Sequence, residues 1–173
     1  MSQLREVERK FRLSAAPPLP ILGKGVPIAQ GYLIVESGEE RVRRLGDRYY
    51  WTVKDDGGLA RMEFEVEIPE WVFRLLWAHT EGCRIEKIRY LVRDSGGTIE
   101  VDIYQESLSG LVILECEFLD EASASTFYPP GWAGPAVDVT DDARYKNRSL
   151  ATQGQPPTMP AEQRAVPDCQ RDE

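Results

Sequence analysis

The chain has 173 residues, enough for one domain of ordinary size with a buried core. Its formal net charge of −8 argues against a broad nucleic-acid-binding surface or a polybasic membrane patch. No apolar run is long enough to span a membrane, and the N-terminal residues lack the pattern of a signal peptide. We therefore expect a cytoplasmic monomer or homodimer that has neither a nucleic acid nor a membrane as partner.

Strand patterns dominate the chain. Alternating or β-branched segments predict eight strands, at residues 6–13, 30–35, 40–45, 48–54, 61–68, 86–93, 98–104 and 112–118. The prolines between the first two strands predict a loop. Pro69 opens an amphipathic helix that runs to about Thr80, and Asp120 and Thr140 each cap a further short helix.

The predicted domain covers residues 1–151. The remaining residues, 152–173, are rich in proline, glutamine and charge, and this composition predicts a disordered C-terminal tail.

Cysteine and histidine are too few and too scattered for the common metal or nucleophile sites. The three cysteines, Cys83, Cys116 and Cys169, have no metal-ligand spacing and are expected to be reduced thiols. His79 is the only histidine, so a multi-histidine zinc site is excluded, and a structural role for it is the expected one.

Charged residues share one face of strand after strand. In residues 61–68, Arg61, Glu63, Glu65 and Glu67 alternate with four apolar residues, and Glu100 and Asp102 alternate with β-branched residues. Two arrangements explain this pattern: an open sheet with a solvated charged face, or a barrel with its charges turned inward and helices covering its apolar outside. Composition leaves the two nearly even.

A narrow charged lumen would need counter-ions, because like charges at short range repel strongly. Carboxylates without cysteine or histidine suit a hard cation, Mg²⁺ or Mn²⁺. Arginine and lysine suit phosphate oxygens. An elongated polyanion that arrives with its metal, such as a small-molecule triphosphate, satisfies both requirements.

The order of these motifs resembles the CYTH domain, also called the triphosphate tunnel metalloenzyme family. Glu6-x-Glu8-x-Lys10 is similar to the family's E-x-E-x-K signature. The resemblance extends over residues 4–151. It continues through Gln30-Gly31-Tyr32-Leu33, Arg41-Val42-Arg43, Thr52-Val53-Lys54, Arg61-x-Glu63-x-Glu65, Lys87-x-Arg89-Tyr90, Glu100-Val101-Asp102, Gly110-Leu111, Glu115-x-Glu117 and Val139-Thr140-x-x-x-Arg144-Tyr145-x-Asn147. Cys116, where an aliphatic residue is usual, and Asp138, where glutamate is usual, depart from the pattern.

The resemblance implies an α+β fold built on an eight-stranded antiparallel β-barrel, a tunnel with a charged lumen flanked by helices. It also implies divalent-metal-dependent hydrolysis of a triphosphate, and roles for particular residues. The implied metal ligands are Glu6, Glu8, Glu115 and Glu117. The implied phosphate-binding residues are Lys10, Arg41, Arg43, Lys54, Arg61, Lys87 and Arg89, with Glu63, Glu65, Glu100 and Asp102 as supporting acids.

Inorganic tripolyphosphate is the predicted substrate, cleaved to pyrophosphate and phosphate by in-line attack of an activated water. The alternatives are a thiamine or nucleoside triphosphatase, a class IV-type adenylate cyclase, and a polyphosphate-binding module without catalysis. Metal or a side chain could activate the water. The side-chain candidate is Tyr32, which with Lys54 resembles the Tyr-Lys pair of the thiamine triphosphatase branch, and a nearby ammonium is expected to lower the tyrosine pKa.

Overall fold

The computed structural model describes residues 7–54, 63–94 and 97–157. Nine strands form one antiparallel sheet in the order β5-β4-β3-β2-β6-β7-β8-β1-β9. The strands are β1 (Val7–Leu13), β2 (Val26–Leu33), β3 (Glu39–Leu45), β4 (Arg48–Lys54), β5 (Glu63–Glu67), β6 (Arg84–Asp94), β7 (Gly97–Tyr104), β8 (Val112–Phe118) and β9 (Ala136–Asp138). The α-helices are α1 (Leu19–Leu22), α2 (Glu70–Trp77), α3 (Glu121–Thr126) and α4 (Asn147–Gln153).

The predicted closed eight-stranded barrel is wrong in two respects. The sheet has nine strands, and within the described residues its end strands β5 and β9 do not pair with each other. The extra strand β9 pairs with residues Phe11 to Leu13 of β1. Just beyond it, Val139 N donates to the carbonyl of Lys10, and the Lys10 amide donates to Thr140 Oγ1. The edge of β1 from Lys10 to Leu13 is therefore already occupied, and this part of it is not available to β5.

Most predicted elements lie within a few residues of the observed ones. The hairpin of β3 and β4 and the strand β8 are confirmed almost to the residue. Strand β2 begins at Val26, not at the predicted residue 30, because Pro27 is accommodated in the strand opposite Ile88. Sequence reasoning missed β9 and the single turn of α1, which are three and four residues long.

Apolar residues pack mainly on the face of the sheet opposite the charges. This outer core includes Phe11, Val101 and Leu114, all at most 4% exposed, and it also contains residues from α1 and from the segment after α3. Burying such side chains is the main favourable term in folding. The expectation that the C-terminal helices cover this face is wrong for α4, whose Leu150 packs in a separate cluster, while α1 and the segment after α3 contribute to the cover.

A second apolar cluster fills one end of the charged face. Ile113 lies opposite Asp102 in the register, and Tyr104 lies opposite Lys87, so both point to the same side as the charges. Leu150 of α4 and Tyr145 pack on them. The charged face is thereby plugged with apolar side chains at this end.

The predicted disordered tail, residues 152–173, begins inside α4, because this helix ends at Gln153. Arg12 contacts the carbonyl oxygens of Pro156 and Pro157 at 3.5 and 3.4 Å, so the chain stays on the sheet up to residue 157. Residues 158–173, which include Cys169, lie outside the described residues, and the domain boundary stays a prediction. Cys83 and Cys116 are free thiols. None of the helices in residues 7–54, 63–94 and 97–157 is long and apolar enough to cross a membrane.

Candidate active site

Strand register places the predicted site residues on one face. Glu8 lies opposite Glu117, Lys10 opposite Glu115, and Glu115 opposite Glu100. Directly opposed residues in an antiparallel sheet project to the same side. The same relation holds across the other half of the sheet, where Lys54 lies opposite Glu63.

The curled sheet brings these residues around one cavity of about 290 Å³. Strands from β5 through β1 contribute to its lining. Of the predicted site residues, the structure brings together Glu8, Lys10, Arg41, Arg43, Lys54, Glu63, Lys87, Arg89, Glu100, Glu115 and Glu117. The described residues of the charged face therefore line a shared cavity, although the sheet is open and not a closed barrel.

The wall formed by β3, β4 and β5 pairs each base with an acid. Arg43 Nη2 lies 2.9 Å from Glu65 Oε1, and Lys54 Nζ lies 2.9 Å from Glu63 Oε2. Arg41 is more loosely held, at 3.4 Å from Glu63. Within the described part of the chain, the buried Nε–H groups of Arg41 and Arg43 have no hydrogen-bond partner. These two N–H groups keep donor capacity for an anion.

A fully buried aspartate anchors the middle of the site. Asp102 is 0% exposed, accepts from Lys87 Nζ, and receives Arg89 Nε at 2.7 Å and Nη2 at 2.6 Å. Burial raises the pKa of Asp102, but Lys87 and Arg89 together lower it by a larger amount, so the carboxyl stays ionised. Burial lowers the pKa of Arg89, but the carboxylates of Asp102, Glu100 and Glu115 raise it by a larger amount. Asp102 thus fixes the positions of two phosphate-binding candidates.

The other end of the cavity is rich in carboxylates. Glu8, Glu100, Glu115 and Glu117 line a connected cavity of about 200 Å³. Lys10 Nζ lies 3.0 Å from Glu8 and 2.9 Å from Glu115, while Arg89 contacts Glu100 and lies 3.2 Å from Glu115.

The pKa values at this end reflect the crowding of charge. Burial lowers the pKa of Lys10, but Glu115 and Glu8 together raise it by a larger amount, so its ammonium stays charged. Burial and the neighbouring carboxylates Asp102 and Glu115 raise the pKa of Glu100, although Arg89 opposes them. A bound cation would relieve this excess of negative charge.

The donor set fits a hard divalent cation. The cavity offers carboxylate oxygens and the Thr98 hydroxyl but neither cysteine nor histidine, which is the ligand chemistry of Mg²⁺ or Mn²⁺. Among residues 7–54, 63–94 and 97–157, no three such side chains converge as a preformed metal cluster. Their ion pairs with Lys10 and Arg89 occupy oxygens that a cation would need.

Tyr32 does not have the environment that was expected of a general base. It is 3% exposed, and its hydroxyl accepts from Gln30 Nε2 at 2.5 Å. Burial, followed by the charge of Glu39, raises its pKa above the ordinary value although Arg41 acts in the opposite direction. Lys54, the proposed partner, pairs instead with Glu63. The expected lowering of the Tyr32 pKa is therefore wrong.

Some predicted residues lie elsewhere, and some lining residues were not predicted. Glu6 and Arg61 lie outside the described residues. Glu65 and Asp102 are not part of the cavity lining but pair with its bases Arg43, Lys87 and Arg89. Gln30 and Asn147 line the cavity but were not assigned to it. Asn147 was part of the last motif, and its Oδ1 accepts from Tyr104 at 2.6 Å. The position of polar Asn147 at the end of that motif was the sequence signal that could have assigned it to the cavity.

Comparison with known proteins places this geometry in a family. An inorganic triphosphatase of Nitrosomonas europaea is 42% identical over 151 residues, covering 86% of this chain and 97% of that protein. One from Acetivibrio thermocellus is 39% identical over 149 residues, covering 84% and 92%. This chain belongs to the inorganic triphosphatase family. No family model matches the chain.

A solved structure agrees with this family assignment. The crystal structure of an inorganic triphosphatase superposes with a TM-score of 0.68 at 39% identity, covering 87% of this chain and 96% of that one. The similarity spans nearly the whole of each relative, since it covers 97% and 92% of the two triphosphatases and 96% of the solved structure.

Proposed function

We propose that this protein is a divalent-metal-dependent inorganic triphosphatase of the CYTH type that cleaves tripolyphosphate to pyrophosphate and phosphate. The observation that carries the proposal is the single cavity lined by six cationic side chains and five carboxylates: Lys10, Arg41, Arg43, Lys54, Lys87, Arg89, Glu8, Glu63, Glu100, Glu115 and Glu117. The names of the relatives agree with it.

The basic residues would bind and orient the phosphate chain. Arg41 and Arg43 present guanidinium groups from adjacent positions on one face of β3. Lys87 and Arg89 present an ammonium and a guanidinium group in the same way on β6. Charge-assisted hydrogen bonds to phosphate oxygens are strong, and fixing the chain in line with a water lowers the entropic part of the barrier. The water oxygen would bond to the terminal phosphorus while the bridging P–O bond breaks, which yields phosphate and pyrophosphate.

The carboxylate end would hold the cation. Glu8, Glu115 and Glu117 are the candidate ligands in the described residues, with Glu6 as a fourth candidate outside them. When bound, Mg²⁺ or Mn²⁺ would neutralise phosphate charge and polarise phosphate and water oxygens. Phosphate oxygens would replace carboxylates as the partners of Lys10 and Arg89, which frees those carboxylates for the cation.

A substrate panel tests the proposal directly. Purified protein with Mg²⁺ or Mn²⁺ should release phosphate from tripolyphosphate faster than from thiamine triphosphate or ATP, and ATP should give no cyclic AMP. Tight binding of tripolyphosphate without phosphate release would instead identify a polyphosphate-binding module.

A matched pair of variants locates the activity. Glu117→Gln should abolish turnover and leave the fold intact, because it removes one of several crowded negative charges. Glu70→Gln, on the exposed side of α2, changes the same functional group far from the cavity and should leave turnover unchanged. Loss of far-ultraviolet circular dichroism in Glu117→Gln would point to a structural role.

A further inference from the structure

Thr52 lies behind one wall of the charged cavity. It stands in the middle of β4, opposite Arg41 on β3 and Glu65 on β5, so the three side chains project to the same side of the sheet. Thr52 is 0% exposed and is not part of the cavity lining. Its side chain therefore reaches the contents of the cavity only through its neighbours.

The Thr52 hydroxyl has a charged partner. A buried hydroxyl needs a hydrogen bond from within the protein, because water does not reach it. The Thr52 hydroxyl donates to Glu65 Oε2 at 2.7 Å. Burial raises the pKa of Glu65, but this bond and the charges of the two arginines on β3 together lower it by a larger amount, so the acceptor is ionised. Hydrogen bonds to an ionised carboxylate are stronger than those between neutral groups.

Glu65 in turn contacts the two arginines. Arg43 Nη2 donates to both carboxylate oxygens of Glu65, at 2.9 and 3.0 Å, and Arg41 Nη2 lies 3.7 Å from Oε2. Among the described residues, the buried Nε–H groups of both arginines have no hydrogen-bond partner. The directions of these donors therefore depend on where Glu65 holds the two guanidinium groups.

Glu65 is less enclosed than the acid of the opposite wall. The side chain of Asp102 is 0% exposed, so the packing around it restricts its position. The side chain of Glu65 is 32% exposed, and glutamate has one more rotatable bond than aspartate. Holding such a side chain in one conformation costs rotamer entropy. The hydrogen bond from Thr52 offsets that cost and restricts the carboxylate to the position that contacts Arg43.

We propose that Thr52 is a positioning residue for phosphate binding. Its hydroxyl holds Glu65, and Glu65 holds the guanidinium groups of Arg41 and Arg43 toward the phosphate chain. Donors that are ordered before the ligand arrives lower the entropic cost of binding it. Thr52 touches neither the substrate nor the reacting atoms. The identity of the anion rests on the proposed function, whereas the series of contacts from Thr52 to Arg43 does not.

Calorimetric titration with a methylene-bridged tripolyphosphate analogue and Mn²⁺ tests this role without turnover. Thr52→Val keeps the shape of the side chain but removes the hydroxyl, so it should weaken binding of the analogue about fivefold. Thr52→Ser keeps the hydroxyl and should bind within about twofold of the unaltered protein. Thr152→Val, at an exposed position of α4, is the matched control and should leave the affinity unchanged. An unchanged affinity in Thr52→Val would overturn the proposal.

A double-mutant cycle separates positioning from packing. If Thr52 acts through Glu65, Thr52→Val should have almost no effect on affinity in a Glu65→Ala protein. A packing role predicts the same loss in both backgrounds, and that result would overturn the proposal, as would a Thr52→Ser protein that binds as weakly as Thr52→Val. Thr52→Ala is a second variant without the hydroxyl. It should show the same loss of affinity, so the test does not depend on the folding of Thr52→Val.

Steady-state kinetics distinguish a failure of this inference from a failure of the proposed function. Thr52→Val should raise KM for tripolyphosphate about fivefold and change kcat by less than about twofold, as expected when binding of ground state and transition state is weakened alike. Hydrolysis by the unaltered protein with the same KM in Thr52→Val would overturn the positioning role alone. Binding of the analogue that depends on Thr52, without phosphate release by the unaltered protein, would overturn the proposed reaction and support the positioning role. If the unaltered protein does not bind the analogue, both are overturned.

Discussion

Each basic residue of the cavity has an acidic partner whose distance and burial suggest what it does. Arg43 Nη2 donates to both carboxylate oxygens of Glu65, at 2.9 and 3.0 Å, and burial is the main cause that lowers the pKa of Arg43. Asp102 is completely enclosed and holds two bases at once. We therefore expect variants of the lining bases to lose substrate binding, and variants of the buried acid to lose stability.

Replacing Arg43 should separate phosphate binding from cation binding. Arg43→Ala removes a charged donor whose hydrogen bonds are worth about 1.5–3 kcal/mol, so the Michaelis constant for tripolyphosphate should rise about tenfold or more. Affinity for Mn²⁺ should change much less. Arg48→Ala, on the exposed side of the same hairpin, is the control and should leave steady-state kinetics unchanged. An equal loss of phosphate and cation affinity would contradict the division of roles.

Replacing Asp102 should destabilise the protein in a pH-dependent way. Asp102→Asn removes the carboxylate that pairs with buried Lys87 and one of the three that pair with Arg89, which should cost about 3–5 kcal/mol at neutral pH. Because the folded-state pKa of Asp102 lies below its ordinary value of about 3.9, its contribution is present above that pH and is lost as the pH falls through the folded-state pKa. The stability difference between the two proteins in urea unfolding should narrow on acidification. A constant difference would contradict this explanation.

The burial of Tyr32 predicts that it is not the base. A phenol whose pKa is raised stays protonated at physiological pH. We therefore expect Tyr32→Phe to retain most of the turnover, with a pH–rate profile of the same shape. A loss of more than about a hundredfold, in the range typical of a lost general base, would restore the sequence-based hypothesis.

At the scale of elements, the position of β2 depends on a residue without a side chain. Gly31 lies in β2 beneath the 3₁₀ turn that follows α2, and an added Cβ would lie 2.3 Å from Thr80 Oγ1. Thr80 is 0% exposed and accepts from Arg84 Nε at 2.9 Å, so it cannot move away freely. The contact fixes β2 against the turn, and with it Gln30 and the neighbouring bases of β3.

Enlarging that glycine should therefore destabilise the fold. We expect Gly31→Ala to cost about 1–3 kcal/mol, the usual range for overpacking. Gly131→Ala is the matched control, since no atom lies within 4 Å of its added Cβ and its backbone is not in the left-handed region. Thermal unfolding followed by circular dichroism measures both. Equal melting temperatures for Gly31→Ala and the unaltered protein would show that the turn yields.

At the scale of the whole molecule, the basic and acidic side chains of the cavity neutralise one another. Lys10 and Arg89 are paired with the carboxylates that a cation would need, and those carboxylates in turn occupy donors that phosphate would need. Tripolyphosphate alone would leave these carboxylates beside added negative charge, and a cation alone would displace the bases without giving them an anion. Each ligand should therefore prepare the site for the other.

Calorimetry should show that each ligand raises the affinity of the protein for the other. We expect Mn²⁺ to strengthen binding of a methylene-bridged tripolyphosphate analogue, which is not hydrolysed, about tenfold, and the analogue to strengthen Mn²⁺ binding by the same factor. Metal–analogue association in buffer is measured separately and subtracted. If Mn²⁺ and the analogue bind independently, the proposal that they take over the ion-pair partners of Lys10, Arg89 and the carboxylates is contradicted.

The sequence by itself determined the alternation of charged and apolar residues, and hence most of the strands and the charged face that they share. These follow from the period of two in a strand and are local properties of the chain. Elements of three or four residues, such as β9 and α1, carry too few residues for a periodic signal, and they were missed.

Only the tertiary structure decided whether the sheet closes and which charged groups meet. Closure depends on whether a distant segment occupies the edge of β1, and the segment around Val139 and Thr140 does so. Burial, which no local pattern predicts, raises the pKa of Tyr32 by more than the charge of Arg41 lowers it. Pairing along a strand is set by local geometry, whereas edge contacts and desolvation depend on which remote residues pack together.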